Sequence, residues 1–135
     1  MASQPWLANS GNAPTNWPKN LYPIWRKHWG WAFENNIAPI WVGEFGGKFG
    51  YSNANGSANS DAYATQERQW VQELVKYLNG DFNGDGTNHL TGNQLGMSFA
   101  YWNYMLSGDT GSLTIDNDLQ TPQSGKLSLI APILT

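Results

Sequence analysis

The chain has 135 residues, enough for one domain or for part of a larger one, and a formal net charge of -3. Its seven Lys and Arg are spread along the sequence, which excludes the clustered basic face that nucleic acid or an anionic membrane requires. Cysteine is absent, so disulfides and thiolate zinc sites are excluded, and no apolar run approaches the ~18 to 20 residues of a membrane span.

The start, MASQPWLANS, lacks a charged n-region and an apolar h-region, so it is not a signal peptide; it reads as an artificial start or a cut inside a longer protein. Residues 1–22 are rich in Pro, Asn and Gly and predict an irregular loop. From about Leu21 to Asn36, Ile24, Trp25, Trp29, Ala32 and Phe33 recur at helical spacing, with Pro23 suited to the first turn and Asn35-Asn36 ending the element. Residues 37–44 predict a first strand whose unbroken apolar character suits a parallel strand covered on both faces. The Gly-rich stretch 45–60 predicts a long flexible loop, with an Asn55-Gly56-Ser57 sequon of no evident use. Ser60 or Asp61 can cap a helix running to about Leu78. Trp70, Val71, Leu74, Tyr77 and Leu78 form its apolar stripe, and Glu67, Arg68, Glu73 and Lys76 are expected mostly in water. A turn-rich segment leads to a second strand over about 95–104, a loop containing SGDTG, and a last helix around 125–130.

The order helix, strand, helix, strand, helix predicts α/β structure with a parallel pair joined by a right-handed crossover. Two parallel strands cannot make a stable sheet alone, so residues 1–135 are expected to be incomplete on their own. Eight Trp, six Tyr and five Phe accompany many Asn, Gly, Ser and Thr, while charged residues make up only 13%. Flat rings with neutral polar groups suit a sugar chain, and the same rings also serve as core. At the C-terminal ends of the strands stand Glu44 in one and Trp102 with Asn103 in the other. A carboxylate and an aromatic platform on one face are what cleavage of a glycosidic bond requires.

WVGEFG after an apolar run, preceded by a WG-containing helix and NNIAPI, resembles the segment around the nucleophile of family 5 glycoside hydrolases, in particular bacterial endo-β-1,4-glucanases (cellulases). SFAYWNY followed by SGDTGSL resembles the last strand of that family's barrel, and PTNWPKNLYPIWRKHWGW the stretch after its sixth. The resemblance implies the C-terminal part of a (β/α)8 TIM barrel, with the last two parallel strands and about three helices. It implies that Glu44 is the nucleophile of a retaining mechanism, that Trp102 stacks beneath a sugar and that Trp6 lies on the leaving-group side. Lys48 either reaches a substrate hydroxyl or is solvated, and Asp109 either bonds sugar hydroxyls or caps its own loop. The family's acid/base follows Asn in an Asn-Glu-Pro segment that these residues do not contain; Glu34, Glu67 and Glu73 are all predicted on helices. The chain alone is therefore expected to be inactive, without a cofactor, and to associate with the missing N-terminal part of the barrel or with itself. The resemblance further implies a β-glucan substrate and an extracellular location. Where relatives carry a longer Trp-Asn-Pro-containing loop before SGDTG, this chain has Tyr104, Met105 and Leu106.

Two alternatives bear on these expectations. A non-catalytic carbohydrate-binding module matches the size and Trp content, but such modules are sandwiches of short alternating strands. Asp81, Asn83, Asp85 and Gly86 match the first half of a calcium-binding EF-hand loop, but the position of its bidentate Glu is Gly92, which favours a plain Asp/Asn/Gly turn.

Overall fold

The computed structural model describes residues 15–52, 54–104, 111–115 and 119–134; Trp6 and Asp109 lie outside them. The first helical run is built from α1 (Leu21–Trp25), one wider π turn (Arg26–Gly30) and α2 (Trp31–Glu34). It stops where expected. Asn36 takes φ 57° and the Ile37 N–H bonds the Ala32 carbonyl at 2.8 Å, a closure that a short polar residue tolerates. Helix α3 (Ala62–Leu78) is the longest element, and Asp61 caps it by accepting the Ala64 N–H at 2.9 Å. A short α4 (Ser124–Ile130) and a 3-10 turn (Ala131–Ile133) follow much later.

Strands β1 (Trp41–Phe45) and β2 (Ser98–Tyr101) pair in parallel, with Trp41 opposite Ser98, Val42 opposite Phe99 and Phe45 opposite Tyr101. The register shifts between Val42 and Phe45. Both strands are shorter than their apolar runs. The Ile37 and Ala38 amides are consumed in closing the helix, and the Met97 amide bonds the Leu78 carbonyl rather than a strand. The expected covering of both faces is not found: Trp41 is 69% exposed, and Gly43 and Glu44 are also exposed. Among the described residues the sheet has these two strands alone, with Phe45 in the buried core and Val42, Phe99 and Tyr101 packed against it. A helix of seventeen residues and a parallel pair do not match the sandwich of a binding module.

The core lies between α3 and the first helical run. Val71, Leu74, Val75, Tyr77 and Leu78 meet Leu21, Tyr22, Trp25, Phe33 and Phe82, all buried. Each such side chain contributes about 1.5–3 kcal/mol on burial. The Tyr77 ring sits 5.3 Å from both Trp25 and Trp29, edge-on or tilted, and its hydroxyl donates to Glu34. Most Trp of this half therefore do serve packing.

Glu73, expected in water, is buried. Its carboxylate accepts from Lys19 at 2.8 Å, Lys76 at 2.7 Å and the Tyr22 hydroxyl at 2.6 Å. Burial pushes this carboxyl up, but the hydrogen bonds from Lys19, Lys76 and Tyr22 outweigh it and hold it below the ordinary carboxylate value. The helical period placed Glu73 at the edge of the stripe, and a ready set of donors drew it inside.

A group whose folded pKa is depressed contributes stability above its unfolded pKa of about 4.3, and that contribution disappears as pH falls through the folded value. Glu73→Gln is therefore expected to cost about 2 kcal/mol near neutral pH, because three charged or polar donors lose their acceptor charge. Thermal unfolding of both proteins between pH 7 and pH 3 checks this: the gap should narrow below about pH 4.

Candidate active site at the strand ends

The Trp102 N–H donates to the Phe45 carbonyl at 2.9 Å, so pairing continues one step past β2. Glu44, one residue before Phe45, and Trp102, one residue after Tyr101, thus stand at the same end of the pair. Glu44 is exposed, and no group among the described residues is hydrogen-bonded to its carboxylate. Trp102 is 46% exposed, too open for a core residue and open enough to offer a ring face. Lys48 is exposed in the loop after β1.

Gly46 explains how the two ends come so close. A Cβ at this position would lie 1.7 Å from the Trp102 carbonyl oxygen. The absent side chain makes room for the neighbouring backbone rather than only for substrate or for the turn.

The segment expected to be a flexible loop is instead held at several points. Phe49 is fully buried, with its ring 6.1 Å from Tyr101 and 6.2 Å from Trp70. Glu67 accepts the Gly50 N–H at 2.7 Å, while Arg68 donates to the Gly50 carbonyl at 2.9 Å and to the Asn59 carbonyl at 2.8 Å. Both were expected in water, and both are half-buried against this loop. The Tyr101 hydroxyl lies 3.3 Å from the carbonyls of Gly47 and Gly111 and can donate to either. Burial pushes this hydroxyl up to about 12, so it remains a proton donor throughout the neutral range. From α4, the fully buried Lys126 donates to the Ser112 carbonyl at 2.9 Å, and Gln123 donates to the Ser52 carbonyl at 3.0 Å. Two aromatic residues, Phe49 and Tyr51, inside a Gly-rich stretch were the available sign that it packs.

Among the described residues, the other Glu side chains and the carboxylates of the DFNGDG turn have partners of their own. Glu34 bonds Arg26 and Tyr77, Glu67 holds Gly50, and Glu73 is enclosed by its three donors. In the DFNGDG turn, Asp81 accepts the Asp85 and Gly86 amides at 3.0 and 2.9 Å, and Gly84 and Gly86 take φ 67° and 81°. Asp81, Asp85 and His89 bring potential ligand atoms within 4.8 Å of one another. Asn83 instead bonds Arg26 and His89. The Thr87 amide, followed by His89, holds the Asp85 carboxyl below its ordinary value. Depressions of about 610 Å³ lie between α3, this turn and α4, and at the opposite, N-terminal ends of the strands. Glu44 and Trp102 stand on an open surface.

The open carboxylate and the open indole stand at the C-terminal ends of neighbouring parallel strands, the end at which (β/α) barrels carry their active sites. The sequence model of the family described as Cellulase (glycosyl hydrolase family 5) matches residues 4–106. An "Endoglucanase" of Paenibacillus polymyxa is 36% identical over 118 residues, covering 87% of this chain and 22% of the relative. The "Major extracellular endoglucanase" of Xanthomonas campestris pv. campestris is 30% identical over 117 residues, covering 86% of this chain and 19% of the relative. The chain belongs to glycosyl hydrolase family 5, whose members are built on a (β/α)8 barrel, and it spans about a fifth of the length of these relatives.

Gly46→Ala forces the strand ends apart and should cost about 1–3 kcal/mol with a change in tryptophan emission. Gly43→Ala, whose added carbon would meet its nearest neighbours at 3.8 Å, should stay within about 0.5 kcal/mol in the same thermal melts. Calorimetric titration with calcium to millimolar concentration should show no binding heat, since Gly92 stands where such a loop needs its bidentate Glu and Asn83 is taken by Arg26 and His89.

Proposed function

We propose that these residues are the C-terminal part of the catalytic barrel of a retaining β-1,4-glucan hydrolase, with Glu44 as its nucleophile. The observation that carries this reading is the exposed Glu44 beside the half-open Trp102 at the ends of paired strands, in a chain of family 5. Glu44 attacks the anomeric carbon to form a glycosyl–enzyme bond as the leaving oxygen takes a proton from an acid/base carboxyl supplied by the preceding part of the barrel. Water then breaks that bond with help from the same acid/base group. Trp102 carries the sugar next to the scissile bond on its ring face, where pyranose C–H groups pack against the indole. Lys48 is assigned to substrate contact, as are Trp6 and Asp109, which lie outside the described residues. The substrate is a β-glucan, and the whole protein works outside the cell, in keeping with the extracellular endoglucanase of Xanthomonas campestris pv. campestris.

The acid/base carboxyl must lie about 5–5.5 Å from the nucleophile. Glu34 and Glu73 are committed to Arg26 and Tyr77 and to Lys19, Lys76 and Tyr22, and Glu67 to the Gly50 amide, so residues 1–135 alone are assigned no hydrolytic activity. The open strands are completed by the N-terminal part of the barrel or, in its absence, by another copy.

The test is an endoglucanase assay on a soluble cellulose derivative. The chain alone should hydrolyse no faster than its Glu44→Gln variant. Joined to the preceding part of a family 5 barrel, it should become active, and Glu44→Gln should then lower the rate by at least about a thousandfold. A joined protein indifferent to the substitution would remove Glu44 from the chemistry.

A further inference from the structure

We propose that Tyr104 is a second sugar-stacking residue, extending the glucan-binding face beyond Trp102; this rests on the glucan reading above. Tyr104 is 63% exposed, yet its hydroxyl donates to the Leu119 carbonyl at 2.6 Å. The backbone between the two rings is tied as well, because the Asn103 carbonyl accepts the Leu113 N–H at 3.2 Å. A single exposed aromatic is ordinary on any surface. Tyr104 differs in being anchored at its polar end and in lying two residues from another open ring at the catalytic end of the strands. Such a tethered ring cannot fold back onto the core, and it loses little freedom when a ligand covers it.

The ligand chemistry is that of Trp102. A neutral pyranose presents C–H groups to a flat ring, while its hydroxyls remain free for water or amides. No charged group is needed, which fits a chain with 13% charged residues. Tyr104 also occupies the segment in which this chain departs from the longer loop expected of its relatives. The second ring lengthens the stretch of glucan held next to Trp102.

The experiment is titration of the chain with cellohexaose, followed by calorimetry and tryptophan emission, with far-UV circular dichroism confirming the fold of each variant. Tyr104→Leu, which keeps apolar bulk but removes the ring, should weaken binding about two- to tenfold, and Tyr104→Phe should stay within about twofold of the unaltered chain. Trp102→Ala should weaken binding independently. Unchanged affinity in Tyr104→Leu with weakened Trp102→Ala overturns the role of Tyr104 and leaves the glucan reading standing. Equal loss in Tyr104→Phe and Tyr104→Leu shows the hydroxyl to be what matters and overturns stacking. No binding by the unaltered chain at millimolar sugar overturns both. If Tyr104→Leu loses helix, Tyr104→Phe decides alone: retained affinity supports the ring, and lost affinity rejects it.

Discussion

Glu44 and Trp102 are neighbours because the Trp102 amide bonds the Phe45 carbonyl, and that bond forms only because residue 46 has no side chain. Parallel strands pair with slanted, evenly spaced bonds and gain little per residue, so a short pair is easily shifted in register. Here the register already shifts between Val42 and Phe45. The contact past β2 pins the end that matters, and the packing of Phe45 against Phe99 and Tyr101, with ring centroids 5.6 and 5.7 Å apart, holds it from beneath.

Helix α3 connects this end to the rest of the molecule. Its middle and last turns supply the core through Val71, Leu74 and Tyr77, while its first turns supply Glu67 and Arg68, which together satisfy both backbone groups of Gly50. A buried backbone group left without a partner costs about 1–3 kcal/mol, so this grip is strongly preferred over a loose loop. One helix thus sets both the core and the position of the loop that carries Lys48. The buried Lys126 and the Tyr101 hydroxyl extend the same support to the segment after β2.

Much of this was legible in the residues. Asp61 as helix cap, Asn35-Asn36 as helix stop, the α3 stripe and the parallel order of the strands are local or periodic signals, and each is where it was expected. The places that differ share one cause. Glu73, Glu67 and Arg68 carry charges that the helical period assigns to water, but each meets partners from distant segments: Lys19 and Tyr22 for the first, and Gly50 for the other two. Likewise, the strand-like run at 37–40 lost its first amides to the helix end, a competition that no window of residues reveals.

By itself, therefore, the sequence determined the element order, the helix boundaries at Asp61 and Asn36, the family and the identity of the acid at the end of the first strand. These depend on short-range backbone preference and on motif chemistry, both written in neighbouring residues. The tertiary structure alone decided which charges are buried, that the loop after β1 is held, and that Gly46 exists for the Trp102 carbonyl. Those depend on which groups from distant parts of the chain meet, and a hydrogen bond between residues fifty positions apart leaves no periodic trace in either segment.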